Sequence, residues 1–188
     1  MTKIGITGSL ASGKTTASNI LSHKRGPLFS ADKIVKKLYR TIKFKKKLAK
    51  EFNLVLNSKT KEKLIHLLIN NHNTIKKLEK IIHPLVRKEM LKFLKKNKNK
   101  KLSFFEIPLL VESKLNRYFD IIIFIKAEKK VRFKRYQKKT GNKKLFYILD
   151  NHQIKDNKKA KLCDHIVVNN KSLKVLKKNL LNIIRNYE

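Results

Sequence analysis

Between positions 8 and 15 the chain reads Gly8-Ser9-Leu10-Ala11-Ser12-Gly13-Lys14-Thr15, which meets the pattern G-x-x-x-x-G-K-[ST] at its four fixed positions. These residue types suit phosphate. Lys14 can reach β- and γ-phosphates, the Thr15 hydroxyl can ligate Mg2+, and Gly8 and Gly13 permit positive φ and close backbone approach to anionic oxygens. The chain has only five glycines, and two of them stand at the fixed positions. A chance match in a lysine-rich chain is the competing explanation, and the flanks argue against it. Residues 2–7 read as a short apolar strand, and residues 15–22, with Ala17, Ile20 and Leu21 at helical spacing, read as a helix start. Strand, turn and helix in that order aim backbone N–H groups and a helix N-terminus at one point, which suits a triphosphate.

Other groups could act beside that loop. Asp32 follows the short second strand Leu28-Phe29-Ser30, at the carboxyl end where ligands of open α/β sheets bind. It is a base or orienting group for an acceptor hydroxyl, or the N-cap of a helix from Lys33, and the two roles are compatible. Glu106 closes the buried strand 102–107 and is a candidate to hold a Mg2+-bound water; pairing with a lysine is the plain alternative. His83 and Arg87, four apart on a helix, share a face and are functional or merely structural. Arg132 and Arg135 ride a helix over 128–139, either in a lid over the phosphates or on a solvated basic surface.

Placing these groups requires a particular order of elements. Residues 34–94 carry helical periodicity with no strand, and Pro84 is expected to kink the segment or start a new helix. Residues 108–112 are expected to turn into a helix. Asp120 to Ile125 is the most strand-like run and is expected in the middle of the sheet. A turn at 140–142, helical material to 161, a last strand over 165–168, a turn at Asn169-Asn170 and a closing helix from Ser172 complete the chain. The fold class is α/β: a three-layer P-loop nucleoside-kinase-like core with a parallel sheet, a helical acceptor-binding insertion and a helical lid. One domain spans 1–188, with the core at 1–32, 101–126 and 163–188, the insertion at 33–100 and the lid at 127–162.

With 188 residues, one principal core is expected. No apolar run is long enough to cross a bilayer and no signal-peptide core precedes the loop, so a cytoplasmic protein without membrane association is expected. Cys163, the single cysteine, reads as a packing residue. A net charge of +35 suggests nucleic acid. The lysine clusters are scattered, however, and Lys, Asn and Ile share codons rich in A and T. Compositional drift is therefore favoured over a dedicated surface, and no specific nucleic-acid partner is expected. The charge still steers polyanions toward the chain.

Taken together, several stretches resemble the dephospho-CoA kinase family over nearly the whole chain. They are Gly5-Ile6-Thr7-Gly8 before Ser12-Gly13-Lys14-Thr15, the pair Ala31-Asp32, Ile82-His83-Pro84-Leu85-Val86-Arg87, and Glu106-Ile107-Pro108-Leu109-Leu110-Val111-Glu112. Arg135, Gln153 and the stretch from Asp164 to Asn169 complete the set. The resemblance implies ATP-dependent phosphorylation of the ribose 3′-hydroxyl of dephospho-CoA, with Mg2+, in a monomer or weak homo-oligomer. It implies catalytic roles for Asp32, Lys14 and Arg135, and acceptor contacts from Asp32, His83, Arg87 and Glu112. Nucleotide contacts would come from Gly8, Ser9, Leu10, Ala11, Ser12, Gly13, Lys14, Thr15, Thr16 and Asn169, and metal binding from Thr15 and Glu106.

The chain departs from the family pattern at Ser30, where an aspartate is usual. It departs again at Ser9-Leu10-Ala11, usually richer in glycine, and at Lys139-Thr140, usually Arg-Asp. The alternatives are another small-molecule P-loop kinase, of the nucleoside monophosphate or shikimate type, or a basic nucleic-acid-binding protein with a vestigial phosphate loop. Lys14 is expected to be exposed.

Overall fold

Strand β1 (Thr2–Gly8) is followed by α1 (Lys14–Ser22) and β2 (Leu28–Ser30). Four helices come next: α2 (Ala31–Arg40), α3 (Ile42–Glu51), α4 (Thr60–Asn70) and α5 (His72–Lys96). Then come β3 (Leu102–Glu106), β4 (Ile121–Lys126), α6 (Lys129–Thr140), α7 (Lys143–His152), α8 (Asp156–Ala160), β5 (His165–Val168) and α9 (Leu173–Ile184). This computed structural model describes the backbone of residues 1–188 and every side chain except those of Lys61 and His72.

All five strands are parallel, in the order β2-β3-β1-β4-β5. Helices cover both faces, giving the three-layer α/β arrangement read from the sequence. The apolar run in β4 lies between β1 and β5, one place from the centre, and β1 takes the middle. Gly5 and Thr7 weaken the apolar signal of β1 without exposing it. A Cβ on Gly5 would press on Leu110 and Phe119, so the missing side chain lets the covering layer sit close.

The period-two alternation of strands divides the core. On one face Ile4, Ile6, Phe104, Ile123 and Ile125 meet Ala17 and Leu21 of α1 and Leu176, Leu180 and Ile184 of α9. On the other, Phe29, Phe105 and Ile122 meet Val86 and Met90 of α5 together with Leu110 and Phe119. Each large apolar side chain buried this completely contributes about 1.5–3 kcal/mol. A third cluster, Phe44, Leu48, Leu64 and Ile81, joins α3 and α4 to α5.

Three local expectations are corrected. Helix α5 continues through Pro84 as one element, so no new helix starts there. Ile81 anchors it in one cluster and Val86 and Met90 in another, and this packing offsets the hydrogen bond that proline cannot donate. Residues 108–114 form successive turns instead of a helix and end at Lys114, with φ 55°. In that short span Leu110, Val111 and Leu115 all reach the core. The cap of α2 is Ser30, whose hydroxyl accepts from the Lys33 amide at 3.4 Å, so Asp32 lies in the first turn and is no N-cap.

Gly141, with φ 70°, ends α6, and the Asn142 side chain caps α7 by accepting from the Leu145 amide. Phe133, Tyr136, Phe146 and Tyr147 stack between the two helices. Cys163 packs against the second core cluster as expected, and burial pushes its thiol up to about 11. Among the described residues no helix is long and apolar enough to cross a membrane.

Candidate active site

The phosphate loop leaves β1 at Gly8, where a Cβ would clash with the Ile125 carbonyl of the neighbouring strand. Gly8 is therefore needed for close approach. Its expected positive φ belongs instead to Ala11, at 58°, and to Gly13, at 99°. A non-glycine residue in this left-handed region costs about 1–2 kcal/mol, so Ala11 is strained. At Gly13 a Cβ would also strike the amide nitrogen of Asn169, which donates to the Ser12 carbonyl at 2.8 Å. Asn169, expected to contact the nucleotide, braces the loop itself.

Lys14 differs from expectation. It is 8% exposed and its ammonium donates to the Ser9 carbonyl at 2.8 Å, folded back against its own loop. Burial lowers its pKa to about 8, opposed by the Asp32 carboxylate, with Lys159, Glu106 and Arg132 also facing it.

At the start of α1, the Thr15 hydroxyl donates to Glu106 Oε1, and Ser30 donates to Glu106 Oε2 at 2.8 Å. Glu106 is 1% exposed and is held by these two hydroxyls, with no lysine paired to it among the described residues. Ser30 thus has a defined job where the family pattern has an acid. A hydroxyl and a carboxylate set side by side are hard oxygen donors, the kind Mg2+ takes, so the residues present fit that ion. Thr16 is exposed in the first turn of α1.

The helices after β4 reach back to the loop. Arg135 Nη1 lies 3.4 Å from the Ser12 carbonyl that Asn169 also engages. Arg132 is 5% exposed and pairs with Asp150 while donating to the Ala127 and Leu10 carbonyls, so it is a structural tie and no solvated residue. Two further contacts come from the segment after α7: Gln153 Oε1 accepts from the Leu10 amide at 2.8 Å, and Asp156 accepts from the Ser9 hydroxyl. Asp156 had no signal in the sequence, being 147 positions from its partner.

A cleft of about 240 Å3 has walls that include Asp32, Val35, Ile82, His83, Arg87 and Pro108. It brings Asp32, His83 and Arg87 together. A second, more open groove continues along α5 past Arg87 to Lys88, Lys92 and Lys95. Asp32 is exposed at the cleft mouth. The protein crowded around its carboxyl raises its pKa, Lys14 opposing and Glu106 adding to the effect. Burial lowers the His83 pKa, with Glu79 opposing, which favours the neutral imidazole. Glu112, expected on the acceptor, does not line the cleft; it is engaged by the Lys159 ammonium at 2.7 Å and by the Ile154 amide at 3.2 Å. A buried ammonium needs a carboxylate, and Glu112 supplies it.

A five-stranded parallel sheet whose central strand feeds a G-x-x-x-x-G-K-[ST] loop into a helix, with Thr15 beside a strand-end carboxylate, is the architecture of a P-loop kinase. The sequence profile described as dephospho-CoA kinase matches residues 2–174. A dephospho-CoA kinase of Rickettsia bellii is 31% identical over 195 residues, covering 100% of this chain and 98% of the relative. Among solved structures, a Thermus thermophilus protein is similar with a TM-score of 0.79 at 23% identity, covering 100% of this chain and 98% of its own, a likeness of fold. A dephospho-CoA kinase from Campylobacter jejuni has a TM-score of 0.66 at 25% identity, covering 98% and 96%. The chain belongs to the dephospho-CoA kinase family. It is an enzyme that transfers phosphate to dephospho-CoA.

Proposed function

We propose that the transfer joins the ATP bound on the phosphate loop to the ribose 3′-hydroxyl of dephospho-CoA held in the cleft lined by Asp32, His83 and Arg87. The observation that carries this reading is the position of Asp32. It lies on the cleft wall with His83 and Arg87, yet close enough to Lys14 for each charge to act on the other.

The 3′-oxygen attacks the γ-phosphorus, the bond from that phosphorus to the β–γ bridging oxygen breaks, and ADP leaves. Asp32 orients the hydroxyl and takes its proton. A loose transition state asks little covalent work of the protein, so positioning and charge neutralisation dominate. Lys14 exchanges the Ser9 carbonyl for phosphate oxygens, and Arg135, already at the Ser12 carbonyl, adds a second cation from α6. Thr15 and Glu106 would hold Mg2+, which supplies neutralising charge on the phosphates. Arg87 and the lysines further along α5 offer cations to the acceptor's diphosphate, and neutral His83 offers a hydrogen bond without added charge. The domain reading follows: residues 33–100 serve the acceptor and 127–162 act as a lid on a core of 1–32, 101–126 and 163–188.

An ADP-release assay with dephospho-CoA, adenosine monophosphate, cytidine monophosphate and shikimate tests this, with the product's phosphate placed by phosphorus NMR. Turnover of dephospho-CoA with a 3′-phosphate product is expected. Faster turnover of shikimate or a nucleoside monophosphate, or phosphate at another position, overturns it.

A further inference from the structure

Among the described residues, Lys159 is the most buried charge that the chemistry above leaves unused. Its residue is 0% exposed although it belongs to the short, polar helix α8. Its ammonium donates to the Pro108 carbonyl at 3.2 Å and pairs with Glu112 Oε1 at 2.7 Å. The Pro108 carbonyl accepts also from the Thr7 hydroxyl, at the end of β1 just before the phosphate loop, at 3.0 Å. Glu112 Oε1 accepts a further bond from the Ile154 amide, while its Oε2 is buried with no partner among the described residues. A lysine taken fully out of water is costly, and one ion pair rarely offsets that cost, so stability alone is a poor account of it.

Its neighbours in sequence give a second observation. Gln153 holds the Leu10 amide and Asp156 the Ser9 hydroxyl, both in the phosphate loop. Lys159, on the same short segment, holds Pro108, which lines the acceptor cleft. Residues 153–159 therefore form one strap with its first contacts on the ATP cradle and its last on the acceptor wall.

We propose that Lys159 is a positioning residue for phosphoryl transfer: through the Pro108 carbonyl and Glu112 it fixes the acceptor wall relative to the phosphate loop, setting the distance between the 3′-hydroxyl and the γ-phosphate. The proposal rests on the reading of the Asp32–His83–Arg87 cleft as the acceptor site. Lys159 touches neither substrate in this account. Its effect comes through alignment, where an error of about 1 Å can lower the rate by about 10²-fold.

The test is steady-state kinetics of the full chain, varying ATP and dephospho-CoA separately, for Lys159→Met, Lys159→Arg, Glu112→Gln and Arg87→Ala, with folding checked by circular dichroism. For Lys159→Met we expect kcat lowered by about 10- to 100-fold and KM for dephospho-CoA raised, with KM for ATP within about twofold of the parent. Lys159→Arg keeps the charge and a donor and should recover part of kcat; a merely structural lysine would show lowered stability with normal constants per folded molecule. That result in Lys159→Met overturns the proposal. Should Lys159→Met fail to fold, Glu112→Gln, which loosens the same link at constant shape, must show the same split, and unchanged constants there are equally fatal. Arg87→Ala separates the two readings. If it leaves KM for dephospho-CoA unchanged, the cleft itself is misassigned; if it raises that KM while the Lys159 variants behave normally, only the positioning role falls.

Discussion

Around the phosphate loop several polar groups have a protein partner, Leu10 through Gln153, Ser9 through Asp156, the Ser12 carbonyl through Asn169 and Arg135, and Thr15 through Glu106, while the Ser12 hydroxyl is buried without one among the described residues. Around the proposed acceptor cleft many wall residues are apolar, Val35, Leu68, Ile82, Val86 and Leu109 among them, with Asp32, Glu79, His83, Arg87 and Ser113 as the polar ones. On the proposed reading, the first region receives a group common to all nucleoside triphosphates, and the second is a shaped space in which volume does most of the selecting and a few charges fix orientation. A loss of contact in the first should therefore appear in the chemical step and in ATP binding, and in the second in acceptor affinity.

The sharpest way to break that comparison is Lys14→Met. Transfer should fall by at least about 10²-fold, because a cation aimed at the transferring phosphate is removed. Stability should move the other way. The unfolded chain keeps the Lys14 proton up to its ordinary value of 10.5, whereas the folded protein releases it near 8. The unfolded state therefore binds more protons across that window, stability rises with pH through it, and the penalty of the buried charge is fully present below pH 8. Lys14→Met should gain about 1–3 kcal/mol at pH 7 and lose the alkaline rise, measured by urea unfolding from pH 7 to 10.5. An active variant, or one destabilised at pH 7, contradicts the placement of this side chain.

Next in size is Asp32→Asn, expected to lower kcat by about 10- to 100-fold with KM for ATP unchanged. The parent's kcat should fall on the acid side at a pH above the ordinary carboxylate range, since the Asp32 pKa is raised, and the variant should lose that limb. Glu106→Gln should instead raise the Mg2+ needed for half-maximal rate by about tenfold. A Mg2+ titration of both variants decides: rescue of Asp32→Asn by excess metal, and none for Glu106→Gln, would exchange the two assignments. The smallest effect is expected at Ala11→Gly, which relieves the left-handed alanine. It should add about 1 kcal/mol, seen as a melting point higher by about 2–4 °C, with activity kept. A lower melting point would place Ala11 outside the strained region.

The same contrast explains what could be read from residues alone. The loop, the strand–helix order and the apolar faces of β4 and α9 depend on local spacing, and each stands where the pattern put it. Helix α5 passing Pro84, the turns at 108–114 and the cap at Ser30 escaped, because tertiary packing overrode local preference at the first two and a second polar residue competed for the third. At the site, the loop pattern marked the position of Thr15 at the start of α1, and the ends of β2 and β3 marked those of Asp32 and Glu106. The ion pair of Glu112 left no local trace, because its partner, Lys159, sits 47 positions later with nothing in the sequence to mark it among so many lysines. Lys14 was misjudged in exposure because a pattern of residue types carries no record of which carbonyl lies near an ammonium.

The bond between Asn169 and the Ser12 carbonyl spans 157 positions, from the first loop of the chain to the turn after its last strand. A ribosome adding about 5–20 residues per second reaches Asn169 roughly 8–30 s after it has made the loop. During that interval Gly13 and Ser12 exist as sequence without their brace, and the strap residues Gln153 and Asp156 are also still to come. Nucleotide capture is therefore expected only after the final strand joins the sheet, and ribosome-bound chains stalled short of residue 169 should not be retained on immobilised ATP. The earliest motif to be synthesised is among the last to receive its contacts.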